Sequence, residues 1–309
     1  MKLQHRHGPP RDFVGYGRRP PQIIWPDGRL IAVNLVVCYE EGAEYSLFEG
    51  DDHSDGWGEY PLSAPAGIRD LGTETHFEYG SRVGIWRIAR LLERHGVHAT
   101  ISSCAEALRR NPEVTAWLRQ SGHDLLGHGL RWTEQWTLSR DEERGHLQRA
   151  VALFIELLGE RPIGWNSRSF PSVNTRDILI EEGFLYDSDP CNDDLPYFVP
   201  AQSGRLLVVP YSKTLNDSRY LVSPGYVTPK DFVDNVEAYL DFLIREAREE
   251  GARMMTIAVH ARWTGQPNRA AALEGIIETV LSRPEAVFMR RNDIARYWLS
   301  LFPAEGEAP

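Results

Sequence analysis

From Arg29 onward, apolar runs of strand length alternate with longer segments whose apolar residues recur at helical spacing. This alternation constrains the fold more than any other feature of the chain. The strand candidates read "RLIAVNLVVC", "VHATISS", "HDLLGH", "RPIGWN", "FLYDSD", "RLLVVPY", "MMTIAVH" and "AVFMR". Between them lie helix candidates such as "RVGIWRIARLLERHG", where Val83, Trp86, Ile88, Leu91 and Leu92 form one apolar face and Gly96 supplies the stop. Another is "SRDEERGHLQRAVALFIELLGERP", with Ser139 and Glu142 in capping-box register and Gly159 at its end. Strands that alternate with helices imply parallel strands joined by crossovers. The Pro-, Gly- and aromatic-rich start predicts an extended arm over 1–28, packed on the body or on a neighbouring subunit; one barrel domain is expected over 29–302 and a tail over 303–309.

The polar residues fall where the strands end. Glu40 and Glu41 follow the first strand, His128 the third, Asn166 and Arg168 the fourth, Asp187 and Asp189 the fifth, and His260 the seventh. In a parallel α/β barrel the carboxyl ends of all strands converge on one rim, so these distant positions meet in one cup. A single His or Arg at a rim is more often a hydrogen-bonded structural residue; the collection is what points to chemistry. Two adjacent carboxylates raise each other's pKa unless a cation, donors or a shared proton compensates them.

Bulk properties narrow the function classes. With 309 residues, 42% hydrophobic and 25% charged, the chain belongs with globular proteins. A net charge of −10 argues against nucleic acid and anionic membranes as partners; the expected partner is a small-molecule substrate. Cys38, Cys104 and Cys191 have neither disulfide-framework nor zinc-knuckle spacing. The start "MKLQHRHGPPRDF" has no apolar h-region, so a cytoplasmic location is expected.

The chain resembles the polysaccharide deacetylase (NodB-like) superfamily, and more closely its branch of metal-independent allantoinases and cyclic imide hydrolases. The resemblance rests on "RDFVGYG" in the arm, "YEEG" from Tyr39 to Gly42, "EYGSRVGIWR" from Glu78, "GHGLRW" from Gly127, "NTR" from Asn174, "GFLYDSD" with "DDLPY", and "VHARWTGQPNRAAAL". It implies an α/β fold, a distorted (β/α)7 barrel, that hydrolyses carbon–nitrogen bonds. It also implies a homo-oligomer, such as the tetramer towards which the branch tends. In the superfamily the first carboxylate of the paired motif is the base, and the second holds a divalent metal with two histidines spaced HxxxH. Those roles would fall to Glu40, Glu41 and His128, but Trp132 stands where the second histidine belongs. No cofactor is therefore expected; the alternative is zinc held by Glu41, His128 and His260.

The resemblance makes Glu40 the base and His260 the donor to the departing nitrogen, with Asp187 or Asp189 to orient the imidazole. Glu41 and apolar surroundings should lift Glu40's pKa, with Arg168 opposing. Arg168, His128 or loop N–H groups would face the oxyanion. Trp132, Trp136, Trp165, Trp263, Tyr197 and Phe198 fall in rim loops and could wall a pocket for a planar ring, although most tryptophans pack in cores. The expected substrate contacts are Glu41, His128, Trp132, Asn166, Asp189 and Trp263. Opening of a small cyclic amide is the favoured activity, with a metal-dependent de-N-acetylase and a catalytically inactive carbohydrate-binding barrel as alternatives.

Overall fold

A computed structural model describes residues 8–201 and 204–303; residues 1–7 of the expected arm and 304–309 of the expected tail lie outside the described residues. Among the described residues nine strands form one sheet: β1 (Ile31–Tyr39), β2 (Thr100–Ser103), β3 (Asp124–Gly127), β4 (Gly164–Trp165), β5 (Tyr186–Asp187), β6 (Tyr197–Ala201), β7 (Gly204–Val208), β8 (Arg253–His260) and β9 (Ala286–Phe288). Their order is β6-β7-β5-β4-β3-β2-β1-β8, with β9 beside the start of β1. From β7 to β8 the path is parallel throughout, which gives the seven-stranded distorted barrel expected. Each strand expected from the sequence is present.

β6 was not anticipated. It pairs antiparallel with β7 and contains Pro200, whose missing N–H is tolerated on an edge strand. Among the described residues no ladder joins β7 to β8, so the barrel has an open seam. Arg291 bridges it. Its buried guanidinium donates to the carbonyls of Val209 and Pro210 beyond β7, at 3.2 and 2.6 Å, and to Thr256 of β8 at 3.2 Å. The remaining donations go to Asn34 Oδ1 at 2.5 Å and Ser188 Oγ at 2.6 Å.

The long first strand is buried along its whole length, as a strand covered on both faces must be. The capping box of Ser139 and Glu142 opens the helix Arg140–Leu158, and Gly159 closes it at φ +80°. The helix expected from Arg82 is longer and kinked: Leu71–Tyr79 runs through a π turn, Gly80–Gly84, into Ile85–His95. That turn sits against the rim. A Cβ on Gly80 would collide with Glu41 and the backbone of Arg262, and one on Gly84 with the carbonyl of Ala261. The arm packs on the body through Trp25, which is buried against Tyr297 and Trp298 and donates to the Arg253 carbonyl at 2.7 Å. No helix among the described residues is long and apolar enough to cross a membrane.

Candidate active site

β1 delivers Glu40 to the barrel rim, where its carboxylate is almost wholly buried. One oxygen, Oε1, lies 3.1 Å from Nε2 of His128 at the end of β3 and 3.7 Å from Nε2 of His260 at the end of β8. The other, Oε2, accepts from Arg262 Nη1 at 2.7 Å. Burial pushes the Glu40 carboxyl up, but Arg262, then His260 and His128, outweigh it and hold the group below the usual carboxylate range. The expected lift is thus reversed, because a guanidinium and not a second carboxylate dominates the field around Glu40.

Arg262 is fully buried between the rings of Phe77, Trp263 and Trp132, its Cζ 4.4, 4.2 and 5.0 Å from their centroids. Glu41 turns away from Glu40. Its Oε2 accepts the N–H of Glu40 at 2.8 Å and its Oε1 that of Arg262 at 3.1 Å. Burial, with Glu40 adding and Arg262 opposing, raises its carboxyl to about 7. This resolves the paired carboxylates: one is ionised on a guanidinium, and the other braces the backbone.

His260 is oriented by Asp217, not by Asp187 or Asp189. Asp217 accepts from His260 Nδ1 at 2.6 Å, from its backbone N–H at 2.7 Å and from Thr264 Oγ1 at 2.6 Å. Burial works against charge on His260, but Cys38, Asp217 and Glu40 outweigh it and lift the imidazole well above its ordinary value. Trp263 packs on the ring at 4.3 Å between centroids and donates to the Gly58 carbonyl.

His128 donates from Nδ1 to the Asn166 carbonyl at 2.7 Å, since a carbonyl only accepts. Its Nε2 takes the indole N–H of Trp132 at 3.1 Å. An indole only donates, so this contact needs a bare Nε2, whereas the Glu40 contact needs a proton between the two groups. The two contacts compete for one nitrogen.

The remaining expected residues stand back. Arg168 pairs with Asp55 at 2.6 Å and Glu134 at 3.1 Å, donates to the Trp132 carbonyl at 2.6 Å, and lies 3.8 Å over the Trp132 ring. It pins the rim loops and holds Trp132 in place, with Asp55 and Glu134 as its counter-charges. Asp187 pairs with Arg176 at 3.1 Å. Asp189 accepts from Ser167 N at 2.6 Å and from Asn166 Nδ2 at 3.0 Å, and burial with Asp187 nearby raises it to about 8. Asp189 thus shapes the loop after β4, and Asp187 accepts the N–H of Asp189 at 2.8 Å. Trp165 is a core residue over Gly127, and Trp136 stacks on half-exposed Phe170 at 3.8 Å.

The residues expected to hold zinc do not fit it. Glu41 spends both oxygens on backbone N–H groups, and His128 Nε2 is occupied by the Trp132 indole. Among the described residues, donor atoms lie within 4.8 Å of one another only in Cys38–Glu40–His260 and His95–Glu274–Glu278. Glu41, His128 and His260 are not such a group.

Two functional residues escaped the sequence. Arg262 lay in plain view within "VHARW", directly after a strand end, but nothing local marks it as the partner of Glu40. Asp217 sits in a short turn, Asp217–Tyr220, at no strand end, and carried no signal.

The buried carboxylate–histidine–arginine cluster thus stands at the rim of a distorted seven-stranded barrel. The polysaccharide deacetylase sequence profile matches residues 74–172. A Schizosaccharomyces pombe protein provisionally named polysaccharide deacetylase is 31% identical over 95% of this chain and 98% of its own. The chain belongs to the polysaccharide deacetylase family. Two solved structures match at a TM-score of 0.90, each over 96% of this chain and 99% of its own: PuuE allantoinase, 38% identical, and a Pseudomonas aeruginosa PAO1 protein provisionally named polysaccharide deacetylase, 37% identical.

Proposed function

We propose that this hydrolase opens a small cyclic amide without a catalytic metal. The observation that carries the reading is the pair of substitutions at the cation position: the Trp132 indole N–H on His128 and the Arg262 guanidinium on Glu40. The similarity to PuuE allantoinase supports the same substrate class.

Glu40 Oε1 accepts a proton from water as its oxygen bonds to the ring carbonyl carbon. The low basicity of Glu40 is tolerable because the attacking water becomes strongly acidic as that bond forms. The positive charges of Arg262 and His260 flank the oxyanion. His260, charged and held by Asp217, then donates from Nε2 to the ring nitrogen as the carbon–nitrogen bond breaks. His128 offers Nε2 to the proton that Glu40 has gained, at 3.1 Å.

The test is incubation with allantoin, hydantoin, succinimide, phthalimide and N-acetylglucosamine oligomers, with chelator or with zinc. Ring opening without acetate, persisting in chelator, is expected. A second reading, de-N-acetylation of a sugar polymer, is favoured by the names of the S. pombe and P. aeruginosa relatives. Acetate release with no turnover of any cyclic amide would establish it instead.

A further inference from the structure

Cys38 takes no part in the hydrolysis described above, yet it lies on β1 two residues before Glu40, 2% exposed, inside the barrel beneath the reacting groups. Its sulfur has one long polar contact, 3.9 Å to the Tyr211 hydroxyl, and no disulfide. Sγ of Cys38, a carboxylate oxygen of Glu40 and a ring nitrogen of His260 all lie within 4.8 Å of one another. We propose that Cys38, Glu40 and His260 form an inhibitory site for a thiophilic divalent cation, with zinc and cadmium as its ligands.

The geometry is close to what such an ion requires. His260 Nε2 and Glu40 Oε1 are 3.7 Å apart, and two N/O ligands at about 2.0–2.1 Å on a tetrahedral zinc stand roughly 3.4 Å apart. Because Nδ1 of His260 is engaged with Asp217, Nε2 is the nitrogen left to ligate. A carboxylate behind the ring is the outer-shell partner that a ligating histidine ordinarily has. On binding, the Cys38 thiol and the His260 imidazolium each release a proton; the thiolate, Oε1 of Glu40 and the neutral imidazole are then three protein ligands with a fourth position open. Arg262 holds Oε2 of Glu40 and leaves Oε1 to the cation.

The set differs from Glu41, His128 and the missing histidine, and its consequence is opposite. An ion here consumes Oε1 of Glu40 and Nε2 of His260, the two atoms assigned to proton transfer, so it blocks turnover. Metal binding is read without a substrate, so the site stands or falls independently of the cyclic-amide assignment.

The experiment titrates cadmium into purified full-length protein carrying Cys104→Ser, Cys191→Ser and His95→Gln. These changes leave Cys38 as the one thiol and remove the histidine of the second acidic group. A saturable ultraviolet thiolate-to-cadmium charge-transfer band at one equivalent is expected, and zinc should compete for it. Adding Cys38→Ser should abolish the band and weaken zinc binding at least tenfold in competition with a chromophoric chelator. In the Cys38-containing protein zinc should raise the thermal midpoint, as a ligand selective for the native state does. Where a substrate is turned over, zinc should inhibit, with an inhibition constant at least tenfold higher once Cys38 is serine. Absence of the band at stoichiometric cadmium in protein that is folded by circular dichroism would overturn the site. So would unchanged zinc affinity after Cys38→Ser or Cys38→Ala.

Discussion

At the scale of single residues, the site depends on which charge faces which. Asp217 is a positioning residue: it touches no reacting atom but fixes the tautomer of His260 and helps to hold it charged. Asp217→Asn should lower kcat at least tenfold, within the range of general-acid contributions. It should also move the alkaline limb of the rate profile to lower pH, because the imidazolium loses a counter-charge. A drop in kcat with an unmoved pH profile would reduce Asp217 to a packing role. Glu44 shows the reverse case. Burial, opposed by the N–H groups of Glu44 and Gly42 and reinforced by Glu41 and Asp55, raises it from 4.5 to about 7. A carboxyl raised in the fold contributes stability that is full below pH 4.5 and is lost as pH climbs through 7. Glu44→Gln should therefore stabilise the protein at pH 8 by on the order of 1–3 kcal/mol, with the gain gone at pH 4, as read from urea unfolding at both pH values.

At the scale of elements, the π turn shows how a motif carries meaning through space and not through propensity. On helix propensity alone Gly80→Ala should stabilise by up to about 1 kcal/mol. The added Cβ instead meets Glu41 and the Arg262 backbone, the brace beneath Glu40. We expect a net loss of about 1–3 kcal/mol, typical of overpacking, and a fall in kcat of at least tenfold as Arg262 shifts. A more stable, fully active variant would show that the rim yields at this contact. The capping box at Ser139 behaved as its local pattern predicts because its partners are three residues apart. The kink at Gly80 did not, since its partners are Glu41 and Arg262 on other elements.

At the scale of the whole molecule, an open barrel must satisfy the backbone groups that a closed one pairs by its ladder. Arg291 does this with two of its five guanidinium donations, to the carbonyls of Val209 and Pro210; the other three go to the side chains of Ser188, Asn34 and Thr256, and no carboxylate is among its partners. Desolvation lowers its pKa in consequence. Arg291→Lys keeps the charge but has three donors in place of five. It should cost about 2–4 kcal/mol of unfolding free energy, the scale of two buried acceptors left unpaired, measured by urea denaturation. A loss below 1 kcal/mol would mean that the seam closes by other contacts.

The alternation of strand and helix, the rim positions of Glu40, His128 and His260, and the indole of Trp132 four residues after His128 were all determined by the sequence itself. Each depends on periodicity or on position relative to a strand end, and both are local properties of a chain. The tertiary structure alone decided which cation Glu40 meets, which carboxylate holds His260 and what closes the seam. Arg262 reaches Glu40 across 222 positions, and Asp217 reaches His260 across 43. Charge pairing in a buried site is chosen by distance and by exclusion of water, and neither leaves a pattern along the chain. Arg168 and Arg262 both follow strand ends, yet one is neutralised by Asp55 and Glu134 in the loops and the other is left to face Glu40.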